Sequence, residues 1–131
     1  MSDGKPDLGS ARKDIAVDFL EKAASGKARQ AFSEHAGPTF RHHNPWFRGD
    51  ADSLARGMDD NHAANPEKLL DVEHVLEDGN FVAVHSRVLH RPDDMPVAVF
   101  HLFRFDGDRI AELWDVGQAL PPASLNEHGM F

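Results

Sequence analysis

Residues 103–116 read FRFDGDRIAELWDV. Two runs of alternating apolar and polar residues flank Asp106-Gly107-Asp108, the pattern of two antiparallel strands joined by a tight turn. On the second strand, alternation puts Ala111, Leu113 and Asp115 on one face, and Ile110, Glu112 and Trp114 on the other. Asp115 is the most informative residue of the run. An unpaired carboxylate among apolar neighbours is costly, and burial raises its pKa toward that of a useful general base. Read structurally, the same residue is a strand-end aspartate bonded to a loop or paired with an arginine. Register decides what it meets. A three-residue loop would set His101 opposite Leu113 with Asp115 beside them, whereas a two-residue loop flips the parity and sets His101 with Trp114.

Upstream of this hairpin lie two more strand-like runs. Residues 68–77 end at Asp78-Gly79, and FVAVHSRVLH covers 81–90; after RPDDMP the third strand, VAVFHLFRF, covers 97–105. The four runs together form an antiparallel meander. On the second, Phe81, Ala83, His85 and Arg87 share one face, and Val82, Val84, Ser86 and Val88 the other.

Before the strands, the period is helical. Ser10 is placed to cap a helix over about 11–24 with Ile15, Ala16, Phe19, Leu20 and Ala23 on one side. After Ser25-Gly26 a short helix buries Ala28, Ala31 and Phe32 and stops at Gly37-Pro38. Asp50 caps a third helix reaching Ala64, with Leu54 and Met58 inward and Asn65-Pro66 closing it. Helices followed by an antiparallel meander predict an α+β fold, a curved sheet with helices on one face and a pocket at its open end. Residues 1–9 are expected to be a loose leader to one domain over 10–131, and residues 117–131 form a tail without a clear period.

Composition narrows the function. With 14 basic and 22 acidic residues the net charge is −8, which repels phosphate backbones and argues against a nucleic-acid partner. No apolar run approaches the length needed to span a bilayer. The absence of cysteine removes disulfides, thiolate metal sites and a cysteine nucleophile. The first residues carry no apolar signal core, so a cytoplasmic protein is expected. Neither a phosphate loop, a dinucleotide fingerprint nor a Gly-x-Ser-x-Gly elbow is present.

The nine histidines are the compositional hint of chemistry. His42 and His43 stand together in FRHHNPW, residues 40–46, ahead of an Asn44-Pro45 turn. His43 is expected on the pocket wall and His42 at the surface. His85 and His101 lie inside apolar strands, where an ordinary core or interface role competes with a functional one. With Asp115 the three could form a proton-transfer pocket, or a His/carboxylate metal site, although no HExxH-type spacing supports the latter. Trp46, Phe103 and Trp114 are candidate apolar walls, with Asn44 beside them.

Several of these features resemble the SnoaL-like branch of the nuclear transport factor 2-like superfamily. They are HNP after two helices, VAVHSRV in a middle strand, FRFDGDRIAELWDVGQALP in the last hairpin and a terminal NEHGMF. The resemblance covers about residues 10–131 and implies a cone-shaped α+β fold, usually a homodimer through the sheet. It also implies kinship with polyketide cyclases that close a ring by aldol condensation, using an aspartate as acid/base without metal or organic cofactor. That role carries over onto Asp115, with His43, His85 and His101 lining the same pocket. Members of the branch often have an acidic residue where this chain has His101.

The leading expectation is therefore a small cofactor-free enzyme moving a proton next to a carbonyl of an apolar ligand. Asp115 would be the base, His43 the partner of the enolate oxygen and His85 the orienting group, with His101, Trp46, Phe103, Trp114 and Asn44 on the ligand. The alternatives are a non-catalytic small-molecule binder, and a metal-dependent enzyme or binder using His43, His85, His101 and Asp115.

Overall fold

Side-chain caps start two of the three described helices. In the computed structural model, which describes residues 9–131, the Ser10 hydroxyl accepts from the Lys13 amide at 3.1 Å and opens α1 (Ala11–Ala24). The Asp50 carboxylate does the same for α3 (Ala51–Ala64), accepting from the Ser53 amide at 2.9 Å. Each cap satisfies an amide that the helix itself leaves free. Gly26, at φ +83°, makes the break before α2 (Ala28–His35), a conformation that costs glycine little. Residues 1–8 of the expected loose leader lie outside the described residues.

The meander forms as β2 (Leu69–Asp78), β3 (Phe81–Leu89), β4 (Val97–Asp106) and β5 (Arg109–Ala119). A fifth strand, β1 (Ala36–His42), was not foreseen from the sequence. It lies parallel to β5 at the edge of the curved sheet, whose order is β1-β5-β4-β3-β2. Gly37-Pro38 reads as a helix stop, and it is one, but an edge strand tolerates a proline because one row of its amides has no ladder partner. The three helices cover one face of this sheet, the α+β cone arrangement that the sequence implies.

The register of the β4–β5 hairpin combines both possibilities left open by its sequence. Asp106 pairs with Arg109, so the loop is the two-residue Gly107-Asp108. That parity alone would bring His101 to Trp114. A bulge intervenes: Phe105 pairs with Ile110 but Arg104 with Glu112, leaving Ala111 as the extra residue. Parity is thereby restored, and His101 stands opposite Asp115.

The inner face packs its aromatic rings edge to face. Phe19 of α1 meets Phe32 at 5.0 Å and Phe103 at 5.8 Å between centroids, and Phe32 meets Phe40 at 5.1 Å. Phe103 was expected on the pocket wall, but it is wholly buried in this core. The outer face is different. Leu76, Phe100 and Val116 stand exposed there, with Phe100 at 55 %. No described helix is long and apolar enough to cross a membrane.

Candidate functional site

Strand alternation, applied to the observed registers, sorts the candidate residues onto two sides of the sheet. Phe40 of β1 packs inward, so His42 follows it inward and Arg41 and His43 point out. This reverses the expected assignment of the histidine pair. His42 is 6 % exposed; its Nδ1 accepts from the Asn44 amide at 3.1 Å and its Nε2 meets the Arg48 carbonyl at 2.5 Å. Since Nδ1 accepts, Nε2 carries the proton and donates it. His42 thereby clasps both sides of the loop that carries Asn44.

Asn44 is fixed in turn. Its Oδ1 accepts from the Trp46 amide at 3.0 Å, which leaves its Nδ2 to donate to Asp115 Oδ2 at 3.1 Å and, more weakly, to Oδ1 at 3.4 Å. Asp115 accepts no other hydrogen bond from a described side chain. Beside it on β4, His101 is 9 % exposed and its Nδ1 has no partner. Burial lowers the His101 pKa to about 4; the Asp115 charge opposes that shift, and the Lys68 charge adds to it. At neutral pH the imidazole is uncharged.

Asp115, His101 and Asn44 open onto a cavity of about 230 Å³ between sheet and helices. Its apolar walls include Leu20, Leu54, Met58 and Val88. Phe47 closes one side, its ring lying on Gly57 of α3, where an added Cβ would sit within 2.3 Å of a ring carbon. A glycine in mid-helix costs about 1 kcal/mol relative to alanine, and here it seats that ring. The far end is polar. Lys68 donates to Asn61 Oδ1 at 2.8 Å, and His90 lies beside it. Burial lowers the pKa of both, and for His90 the Lys68 charge adds to the effect while Asp94 opposes it.

Sequence reasoning missed Lys68, Asn61 and His90. Part of the signal was available: Leu54, Gly57, Met58 and Asn61 follow i, i+3, i+4, i+7 on α3, so Asn61 continues the inward stripe. Likewise Lys68 precedes Leu70 by two residues and shares its side of the chain.

The remaining candidates lie elsewhere. His43 is on the outer face, its Nε2 bonded to Glu112 Oε2 at 2.5 Å and its ring stacked on Trp114 at 5.0 Å. Arg41 reaches the same carboxylate at 2.9 Å and Arg104 at 3.1 Å. Hydrogen bonds from Arg41 and His43, with a further one from Arg104, hold the Glu112 pKa down at about 2 against the opposing effect of burial. His85, also outward, lies with Nδ1 3.0 Å from that of His74 and stacks on Phe100 at 4.4 Å. Trp46 is 85 % exposed and walls nothing.

His43 and His85 therefore do not share the pocket with Asp115, because the sheet stands between them. A single ion cannot be held by His43, His85, His101 and Asp115 together. The one group of three possible ligand side chains that converges among the described residues is Asp18, Glu34 and His35, on the helices. There the Lys22 ammonium already binds Asp18 at 2.8 Å and Glu34 at 2.5 Å.

Comparison with known proteins agrees with this architecture. The model of the SnoaL-like domain family matches residues 16–113. No curated protein sequence matches the chain. A solved candidate polyketide cyclase from Acidithiobacillus ferrooxidans superposes with a TM-score of 0.68 at 19% identity, over 86% of this chain and 91% of that one. A candidate SnoaL-like polyketide cyclase from a Jannaschia species gives 0.68 at 15%, over 88% and 91%. A candidate hydroxylase from Streptomyces galilaeus gives 0.68 at 16%, over 82% and 88%. Such identities speak to fold alone, and a fold does not by itself fix a chemistry. With the family model spanning most of the chain and the helices closing over the inner face of a five-stranded curved sheet, the protein belongs to the SnoaL-like domain family, within the nuclear transport factor 2-like superfamily.

Proposed function

We propose that this protein is an acid/base enzyme of the polyketide-cyclase type, moving a proton next to a carbonyl group. The carrying observation is the pairing of Asp115 with His101 across neighbouring strands in an apolar cavity. Opposed side chains on adjacent antiparallel strands stand about 4.5–5.5 Å apart at Cβ, so one small substrate can touch both.

The chemistry follows from their states. Asp115, accepting only the Asn44 amide, keeps lone pairs free to take a proton from a carbon next to a carbonyl. The electron pair of that C–H bond moves to the carbonyl oxygen as an enolate. His101, neutral because it is buried, offers an N–H to that oxygen without bringing a competing proton. Return of the proton to another carbon is an isomerisation. Attack of the enolate carbon on a second carbonyl forms the C–C bond of an aldol, whose alkoxide then takes the proton back from Asp115. No cofactor enters either sequence.

In this reading His101 takes the role that the sequence suggested for His43, and Asn44, held by His42, takes the positioning role suggested for His85. The first test is turnover of 1,3-dicarbonyl probes, followed as exchange of the acidic C–H for deuterium. Asp115→Asn is expected to slow exchange by about 10²–10⁴-fold with the fold and ligand binding intact. Wild-type protein that binds such probes but never exchanges them would instead make the pocket a binding site without catalysis.

We also infer a homodimer through the outer face, where Leu76, Phe100, Leu102 and Val116 form an exposed apolar surface on one side of the sheet.

A further inference from the structure

The pocket is polar at both ends, and the ends carry opposite charge. Its floor crosses the sheet in strand order. Asn44 follows β1, Asp115 lies on β5, His101 on β4, Val88 on β3 and Leu70 on β2, with Lys68 just ahead of β2. Since Leu69 pairs with Leu89, the next step of the ladder sets Lys68 opposite His90. Three strand spacings separate β5 from β2, roughly 14 Å on a flat sheet and less on a curved one. A lysine side chain covers part of that span.

Lys68 is held in place but not neutralised. Its amide donates to the Asn65 carbonyl at 3.1 Å in the turn that ends α3, and its Nζ donates to Asn61 Oδ1. An ammonium has three N–H donors, so two are left over. Among the described residues no carboxylate pairs with it, although the chain has 22 acidic residues and Lys22, Arg29, Arg41, Arg56 and Arg104 each hold one at 3.2 Å or less. A partly desolvated charge without a counter-ion is unfavourable, and an entering anion offsets that cost. The net charge of −8 provides no general attraction for anions, so any preference for one must come from this local group. Asp115 at the other end repels a carboxylate, which leaves one orientation favourable. The volume sets the scale: 230 Å³ is below the ~300 Å³ at which pockets for drug-sized ligands begin.

We propose that Lys68 is the anchor for a carboxylate, and that the pocket takes a small oxo acid whose acid group pairs with Lys68 while its carbonyl end lies at His101 and Asp115. The carbonyl half of this assignment rests on the proton-transfer reading above; the anionic half rests on Lys68 alone. A single short chain or ring bearing one carboxylate fits, and a multi-ring ester does not.

The test compares 3-oxohexanoate with its methyl ester by NMR titration of the isotope-labelled protein. The wild type is expected to bind the acid at least about tenfold more tightly, the effect of one charge-assisted hydrogen-bonded pair. Lys68→Met should bring the acid down to the affinity of the ester, and Lys68→Arg should retain the preference. Equal binding of acid and ester by wild type overturns the proposal, as does a preference that survives in Lys68→Met. If Lys68→Met does not fold, the wild-type comparison and Lys68→Arg decide. Borohydride treatment with the acid bound should leave Lys68 unmodified. A reduced adduct there would mean that the amine attacks the carbonyl with loss of water, and the anchor role would fall. Asp115→Asn separates this from the catalytic reading: it should lose turnover and still prefer the acid.

Discussion

On each face of the sheet a β5 carboxylate meets a histidine of a neighbouring strand or its end, and the two pairs differ in how completely they are satisfied. On the outer face Glu112, 4 % exposed, is held by Arg41, Arg104 and His43, and His43 is in turn stacked on Trp114. A carboxylate with a pKa near 2, bonded to two arginines and a histidine, is a fixed charge, unsuited to accept a proton at neutral pH. On the inner face Asp115 has one amide partner and the buried His101 Nδ1 has none. Complete pairing stabilises a fold, while the lone pairs left over on Asp115, beside the cavity, are free for a ligand. Histidine count therefore said little about the proposed site; which side of the sheet each ring faces said more.

The largest effect should come from the inner carboxylate. Asp115→Asn is expected to lower turnover by about 10²–10⁴-fold, the usual contribution of a positioned general base, with an unchanged circular dichroism spectrum. Retained activity would erase the functional difference between the two faces. The outer carboxylate should show the converse behaviour. Glu112→Gln is expected to reduce stability by about 1–3 kcal/mol, because it strands donors that served a charged acceptor, with turnover little changed. Denaturant titration alongside the exchange assay checks both halves.

Acid titration sharpens the comparison, since the two faces give way in different pH windows. Folding lowers the His101 pKa from 6.5 to about 4, so the unfolded chain binds a proton that the folded one refuses. Its contribution is complete above 6.5 and lost as pH falls from 6.5 toward 4. Glu112 is lowered from 4.5 to about 2, so its contribution is complete above 4.5 and lost between there and 2. Stability measured against pH in His101→Gln should flatten in the upper window only, and in Glu112→Gln in the lower only. Equal flattening across both windows would show that the two sites titrate as one.

Two smaller effects concern the outer surface. Phe100→Glu places a charge in the centre of the exposed apolar area and should convert a dimer to monomers in light scattering, with secondary structure preserved. A wild-type protein that is monomeric at micromolar concentration would end the dimer reading. The smallest change should follow His85→Ala, which leaves the pocket untouched: turnover within about twofold and stability within about 0.5 kcal/mol of wild type. A large loss of turnover there would put chemistry back on the outer face.

Local chemistry made much of this protein legible in its sequence. Ser10 and Asp50 announced their helices because a cap is an interaction between neighbours three residues apart. Alternation in residues 81–90 grouped Val82, Val84, Ser86 and Val88 on one face, which is the buried one, because a strand's period is a property of its own backbone; it did not say which face was inner, and His85 was expected on the wrong one. Asp115 stood out for the same reason, as a carboxylate inside an apolar strand.

What the tertiary structure alone decided were parities and partners between distant segments. The fold of FRHHNPW depends on β1 docking beside β5, some 70 residues away, and that docking turns His42 inward and His43 outward. The meeting of His101 with Asp115 depends on one bulge at Ala111, a local adjustment that no count of loop residues reveals. Lys68 did not stand out, because its spacing to Leu70 gives a side of the chain but not that β2 and α3 bring that side to the end of a cavity. Side-chain period is inherited from the backbone, but which faces enclose a common space is set by long-range packing, and the proposed chemistry lies in that space.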